Sequence, residues 1–205
     1  MDFVGQTTRI VTDRQIDLPD SIMAIGAFDG VHRGHQHLIT GAIQEARVVG
    51  TTSVVWTFDP PPKVVFGRAR QLCSLEEKLA RIAHLGPDMI VVARFNRLYA
   101  GRSADAFLDD LSRANPRRIH VGEDFRFGHK QSGDVAHLGA RFDVTIPAPV
   151  ACADGQVVSS TRIRALRAAG QMAEADTLQG PFHMACQLAG RLLTTDLRHQ
   201  RTHTE

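Results

Sequence analysis

The sequence is poor in the features that mark several large classes of protein. It contains only three cysteines, Cys73, Cys152 and Cys186, which are too few and too widely spaced for a disulfide framework or a paired-cysteine zinc or redox motif. Its 24 basic and 22 acidic residues leave a net charge of only +2, without the basic field of a nucleic-acid or membrane-surface protein. We therefore expect a reducing, cytoplasmic setting, with no nucleic-acid and no membrane partner.

Long apolar runs are also missing. Runs such as Met89–Ala93 are far too short to span a bilayer. The opening stretch MDFVGQTTRIVTDR lacks the basic segment and apolar core of a secretory signal. What is present is 43% hydrophobic residues in a chain of 205, enough for one domain with a sizeable core.

Short β-branched runs alternate with segments of helical periodicity, which predicts an α/β fold with a parallel sheet and helices on both faces. Ligands bind such sheets at the carboxyl ends of the strands, so we expect the loops 26–35, 57–67 and 122–134 and the segment 159–164 to surround one cleft. The predicted strands are Ser21–Phe28, Thr52–Phe58, Met89–Ala93, Arg118–Val121 and Phe142–Ile146. The predicted helices are Gly34–Val48, the segment from the Ser74 cap to Leu85, Ala104–Leu111, Thr161–Ala169 and Met172–Leu178.

The first chemical signal lies where a strand meets a helix, in the stretch GAFDGVHRGH from Gly26 to His35. Glycines allow the backbone to approach a ligand closely, and the free amides of a helix start attract phosphate. His32 and His35, with Gly34 between them, could bind the charge that develops on phosphate oxygens during displacement at phosphorus. Two plainer readings are a polar-capped helix entry and a metal site, although no cysteine or paired carboxylate completes the latter.

Three further segments follow predicted strands or open a predicted helix. Thr57–Pro62 ends a strand in a rigid loop, and Val121–Gly128 carries two phenylalanines in a glycine-flanked loop that could hold a planar ring. Val158–Arg164 places hydroxyls at a helix start, where they can cap the helix or bind a triphosphate with the help of a cation. Within that segment, Arg162 reads best as part of a solvated helix face.

GAFDGVHRGHQ resembles the nucleotide-binding loop of the nucleotidyltransferase superfamily, and within it the adenylyltransferase module of bacterial FAD synthetases. The later motifs resemble the same family in the same order: TFDPPP, VGEDFRFG and SSTRIR, which together cover about residues 20–182. The resemblance implies a Rossmann-like nucleotidyltransferase fold and an ATP:FMN adenylyltransferase that makes FAD and pyrophosphate. One departure is Pro61, which stands where the family usually has histidine.

The resemblance also implies site residues and small-molecule partners. Mg²⁺ is expected to enter with ATP, with no metal site formed by the protein. The implied catalytic residues are His32, His35 and Arg164. The implied ATP-binding residues are Gly26, Ala27, Phe28, Asp29, Gly30, Gly34, Ser159, Ser160 and Thr161. The implied flavin-binding residues are Pro60, Pro62, Gly122, Asp124, Phe125 and Phe127.

Two alternatives remain open at this point. Because Pro61 departs from the family pattern, the enzyme could transfer the adenylyl group to a different phosphorylated acceptor. Alternatively, the protein could bind a nucleotide or a flavin without being an enzyme. The resemblance further implies an adenylyltransferase domain over residues 1–182. Residues 183–205 would then be a short tail where relatives have a riboflavin kinase module, so we expect adenylylation without riboflavin phosphorylation.

Overall fold

A six-stranded sheet organises the residues that the computed structural model describes, which are 7–152 and 154–180. Every neighbouring pair of strands runs parallel, in the order β1-β4-β3-β2-β5-β6. The predicted parallel sheet is therefore confirmed. The strands are β1 (Arg9–Thr12), β2 (Ser21–Ile25), β3 (Thr52–Asp59), β4 (Met89–Arg94), β5 (Pro116–His120) and β6 (Val144–Thr145).

Helices connect the strands over the sheet faces. Short polar side chains cap five of them, and the predicted cap Ser74 accepts a hydrogen bond from the Glu77 amide at 3.1 Å. The helices are α1 (Arg33–Val49), α2 (Pro62–Val65), α3 (Leu75–His84), α4 (Arg97–Ala100), α5 (Ala104–Ser112), α6 (Val135–Gly139), α7 (Ser160–Ala168) and α8 (Met172–Gln179).

The largest departures from the predicted elements lie at the two edges of the sheet. Strand β1 was not predicted, and the expected strand Phe142–Ile146 forms a ladder only over Val144–Thr145. Each edge strand has a single neighbour and is short, so its sequence carries little of the apolar pattern that marks the central strands.

The core has two layers because successive side chains of a strand point to opposite faces of the sheet. In β2, Ile22 and Ala24 pack with helices α1 and α3, while Met23 and Ile25 pack with helix α5 on the other face. Trp56 of β3 is fully buried, as expected for a core residue. Helices on both faces confirm the Rossmann-like arrangement and leave the carboxyl ends of the strands open for a site.

None of the helices within the described residues is long and apolar enough to cross a membrane. The predicted tail, 183–205, lies outside the described residues. Its assignment as a separate tail, and that of 1–182 as one domain, stay predictions.

Candidate functional site

The loop from Gly26 to His32 leaves the carboxyl end of β2 with a tightly determined backbone. Phe28, Gly30 and Val31 have φ values of 46°, 79° and 44°, so two non-glycine residues adopt the left-handed region. A Cβ atom at Gly26 would lie 2.6 Å from the Phe28 ring, so this position requires glycine. Such a backbone persists only where surrounding contacts hold it.

The two histidines form a stacked pair at the start of α1. The ring centroids of His32 and His35 are 3.5 Å apart, with an interplanar angle of 18°. His32 Nδ1 caps the helix by accepting from the His35 amide at 3.3 Å. A Cβ atom at Gly34 would lie 3.3 Å from the His32 ring and 3.4 Å from the Val158 carbonyl oxygen, so this glycine allows the loop to pack against the segment before α7.

Both imidazoles are neutral at neutral pH. Burial, assisted by the positive charge of Arg164, lowers the pKa of His32 to about 4. Burial and the nearby His32, Lys78 and Arg164 lower the pKa of His35 well below its usual value. Because His32 Nδ1 accepts a hydrogen bond, its Nε2 carries the proton and can donate to a ligand.

The lowered pKa of His32 predicts a pH-dependent stability. Between pH 4 and 6.5 His32 is more protonated in the unfolded chain than in the folded protein, so its contribution to the free energy of unfolding falls as the pH falls. We expect His32 to account for about 2 kcal/mol between pH 7 and pH 5, measured by urea unfolding. His32→Asn, which keeps a capping oxygen, should flatten the dependence, with replacement of the exposed His37 as control. A profile unchanged in His32→Asn would contradict this protonation assignment.

The buried Asp29 pairs with the partly exposed Arg164, and this ion pair joins the loop to helix α7. The Asp29 side chain is 5% exposed; its Oδ2 accepts from Arg164 Nη2 and its Oδ1 accepts from the Leu72 amide at 2.9 Å. Ser160 Oγ donates to the Asp29 carbonyl oxygen at 3.2 Å. Arg164 Nε also donates to the Arg70 carbonyl oxygen. Three sequence-predicted residues, Asp29, Ser160 and Arg164, therefore meet.

The other predicted residues of this segment have different surroundings. Ser159 caps α7 by accepting from the Arg162 amide at 3.2 Å, and Thr161 is exposed on the first turn. The interpretation of Arg162 as a solvated residue is wrong. Its side chain is only 16% exposed and pairs with Asp154 and Glu174 at 2.8 and 3.2 Å.

Lys78 of α3 is a buried cation that the sequence interpretation did not use. Its side chain is 1% exposed, and its Nζ donates to the Phe58 carbonyl oxygen at 2.6 Å and lies 4.0 Å from Asp59 Oδ1. Burial lowers the pKa of Lys78, and the Asp59 carboxylate opposes that shift. Next to Phe58, Thr57 Oγ1 donates to the Ala27 carbonyl oxygen at 3.1 Å. The end of β3 thus joins α3 to the histidine loop.

A cavity of about 440 Å³ opens beside the end of β3. Its volume falls in the range of small-molecule sites. Much of its wall is aromatic: Phe58, Phe66, Phe95, Tyr99, Phe107 and Phe127. The described lining residues include no aspartate or glutamate. The basic side chains that line the cavity are Lys63, Arg68, Arg97, Arg102, Arg126 and Lys130. The cavity fits a planar, apolar ring that carries a negative group.

The predicted flavin-binding residues divide around this cavity. Pro62 and Phe127 line it. Phe125 stacks on Phe127 with ring centroids 5.5 Å apart and packs against the core, and Asp124 is exposed. Pro60 and Gly122 belong to the same two loops but do not line the cavity.

Two buried polar residues beside the site, Lys78 and Gln179, could have been found in the sequence. Lys78 falls on the apolar face that Leu75, Leu79 and Ile82 mark in α3, and Gln179 follows Leu178 on the buried face of α8. A polar side chain inside an apolar helical stripe is unusual and was the available signal. Apart from Phe127, which its loop motif predicted, the aromatic cavity residues gave no local signal, since they come from distant parts of the chain.

Side chains of the types that bind metal ions do not form a cluster in the described part of the chain, 7–152 and 154–180. No group of three or more histidine, cysteine, aspartate or glutamate side chains there could hold an ion. The two described cysteines, Cys73 and Cys152, are free thiols. Burial raises the pKa of the Cys73 thiol, whose Sγ accepts from the Gly30 amide at 3.2 Å.

Comparison with known proteins gives consistent matches. Residues 14–162 match the sequence profile of a family described as FAD synthetase. A protein of Geobacillus thermodenitrificans, provisionally named as a bifunctional riboflavin kinase/FMN adenylyltransferase, is 49% identical over 165 residues, covering 80% of this chain and 92% of its own. The bifunctional riboflavin kinase/FMN adenylyltransferase of Listeria monocytogenes is 37% identical over 83% of this chain, which spans only 57% of that relative.

A solved structure also resembles this fold. It is a crystal structure described as a macrolide-efflux protein from Streptococcus pneumoniae, with a TM-score of 0.73 and 29% identity. The match covers 84% of this chain and 61% of that one.

Proposed function

Because the chain belongs to the FAD synthetase family, we propose that it transfers the adenylyl group of ATP to FMN, giving FAD and pyrophosphate. The observation that carries this proposal is a stacked pair of neutral histidines at the carboxyl ends of the strands, where an aromatic cavity lined by basic side chains also lies. The names of the Geobacillus and Listeria relatives, which include FMN adenylyltransferase, support the choice of acceptor.

The reaction needs no protein nucleophile. An oxygen of the FMN phosphate, already anionic, attacks the α-phosphorus of ATP and forms the new P–O bond. The bond from the α-phosphorus to the oxygen that bridges to the β-phosphorus breaks, and pyrophosphate leaves with that electron pair. Catalysis then rests on positioning and on stabilising negative charge.

The histidine pair supplies that stabilisation in our proposal. His32 presents an Nε2–H donor because its Nδ1 is occupied by the His35 amide. Neutral imidazoles held in fixed positions can donate to phosphate oxygens, and such preorganised donors stabilise a transition state strongly. We assign both histidines to the α-phosphoryl group.

ATP phosphates and the flavin would occupy opposite sides of the histidines. We propose that the amides of the loop Gly26–Gly30 and the start of α7, with Ser160, Thr161 and Arg164, contact the triphosphate. We place the flavin ring in the aromatic cavity and its phosphate toward the end of β3, where Lys78 holds the Phe58 carbonyl oxygen.

Mg²⁺ belongs to this proposal as part of the Mg·ATP substrate. The ion would be held mainly by the phosphate oxygens of ATP. A cytoplasmic location, in keeping with the free thiols of Cys73 and Cys152, likewise stays a proposal.

Incubation with Mg·ATP and FMN, followed by chromatography, tests the function. We expect FAD and pyrophosphate in equal amounts. A second arm replaces FMN with other phosphomonoesters and tests the acceptor, because Pro61 lies in the proposed acceptor loop. A third arm replaces FMN with riboflavin and tests the expectation that riboflavin is not phosphorylated. Calorimetric binding of ATP and FMN without release of pyrophosphate would instead favour a binding protein and contradict the proposed reaction.

Phe66 offers a separate test of the flavin position. Its ring is 49% exposed and lines the cavity, so Phe66→Ala should leave the core unchanged. Loss of one aromatic surface from a ring site should raise the KM for FMN about tenfold, with the KM for ATP unchanged. Leu98→Ala, which removes an 84% exposed side chain outside the cavity lining, is the matched control. Equal KM values for FMN in Phe66→Ala and wild type would place the flavin elsewhere.

A further inference from the structure

Gln179, the last residue of α8, is a buried amide that the proposed reaction does not yet use. The residue is only 2% exposed. The main-chain carbonyl oxygen of Gln179 accepts a hydrogen bond from Gln36 Nε2 at 3.0 Å. The same Gln36 nitrogen donates to the Val31 carbonyl oxygen at 2.8 Å. The end of α8 is therefore bonded to α1 and to the histidine loop.

The side-chain amide of Gln179 has a fixed orientation. Its Nε2 donates to the Gly30 carbonyl oxygen at 2.9 Å, while its Oε1 accepts from Arg167 Nη2. Arg167 Nη1 also donates to the Leu72 carbonyl oxygen at 3.0 Å. Arginine can only donate and a carbonyl can only accept, so these two partners require an amide with its nitrogen toward Gly30.

The bonded carbonyl belongs to the part of the loop with the most constrained backbone. Gly30 has φ of 79° and lies between Phe28 and Val31, both of which are non-glycine residues with positive φ. Gly30 is also held on its other polar atom, since its amide donates to Cys73 Sγ at 3.2 Å. Two residues later the chain reaches His32, so the orientation of the Gly30–Val31 peptide helps to set where the imidazole lies.

We propose that Gln179 is a positioning residue for adenylyl transfer, which fixes the Gly30 carbonyl and through it the histidine pair. This inference rests on the proposed function. Gln179 does not touch the reacting groups; it acts through the loop. The chemistry of the contact explains why a polar residue is kept on the buried face of α8, where an apolar one would otherwise pack.

Gln179→Glu separates this role from simple packing. Glutamate has nearly the same shape and keeps an oxygen for Arg167, now as an ion pair, but turns an acceptor toward the Gly30 carbonyl oxygen. We expect kcat for FAD formation to fall about tenfold or more, because small displacements of reacting groups are costly. The KM for FMN should stay within about twofold, since Gln179 does not line the cavity.

Asn115→Asp is the matched control. Asn115 Nδ2 donates to the Pro19 carbonyl oxygen, so the same chemical change breaks the same type of bond just before the start of β5, away from the histidine loop. We expect its kcat to stay within about twofold of wild type. If Gln179→Glu does not fold, Gln179→Leu removes the donor without adding charge and carries the same expectation for kcat.

A second readout needs no substrate. We expect the imidazole ¹H–¹⁵N resonances of His32 and His35 to shift in Gln179→Glu and to stay in place in Asn115→Asp. Unshifted resonances together with wild-type kcat in a folded Gln179 variant would overturn the positioning role. Absence of FAD formation by the wild-type protein would instead overturn the proposed reaction, while shifted resonances would still support Gln179 as the residue that positions the histidines.

Discussion

Replacement of His35 by alanine is expected to lower kcat for FAD formation by about 100-fold or more, the cost of removing one preorganised donor from a developing anion. His35 stacks on His32 at 3.5 Å, so its loss also leaves the His32 ring without its neighbour. The KM for FMN should change little, because neither histidine lines the cavity.

His32 needs a different substitution because it has two roles. Its ring nitrogen caps α1, and loss of an N-cap alone costs about 1 kcal/mol of stability. His32→Asn keeps a capping acceptor and removes the imidazole, so a drop in kcat with a near-normal melting temperature isolates the chemical role. His37→Ala, on the exposed side of the same helix, is the control. Wild-type turnover in both His35→Ala and His32→Asn would remove the pair from the mechanism.

The predictions from sequence succeeded where the signal was local. The strand, glycine turn and helix around Gly26–His35 follow one another along the chain, and their order alone indicates a loop at the carboxyl end of a strand. The same holds for Ser159, whose hydroxyl opens α7 as a cap. Family membership, which those motifs suggested, is confirmed by the profile match over residues 14–162.

Long-range pairing accounts for most of what the sequence could not predict. The cavity wall combines Phe58 at the end of β3, Phe95 after β4 and Phe127 beyond β5. Strands β3 and β4 are neighbours, and β5 lies beyond β2 on the other side of β3, only because of the sheet order, which periodicity does not specify. Arg164 was assigned to phosphate by resemblance, but its pairing with Asp29, 135 residues earlier, appears only when α7 packs on the loop.

The Asp29–Arg164 pair should give the largest effect on stability. Removing Arg164 leaves the buried Asp29 carboxylate without its partner charge, which costs about 3 kcal/mol. We therefore expect Arg164→Met to lower the free energy of unfolding by that amount in urea titrations. Arg117→Met breaks an ion pair with Asp20 in which the arginine side chain is 56% exposed, and this control should cost less than about 1 kcal/mol.

A double-mutant cycle with Asp29→Asn separates the two roles of Arg164, which are to stabilise the fold through Asp29 and to contact the triphosphate. If the pair is the main contribution to stability, Arg164→Met combined with Asp29→Asn should cost less than the sum of the single changes. ATP binding responds differently: Asp29→Asn keeps the guanidinium near the start of α7, whereas Arg164→Met removes it. We expect the KM for ATP to rise about tenfold or more only in Arg164→Met. Equal increases in both single variants would mean that Arg164 acts on ATP only through Asp29, by holding the loop, and does not contact the triphosphate itself.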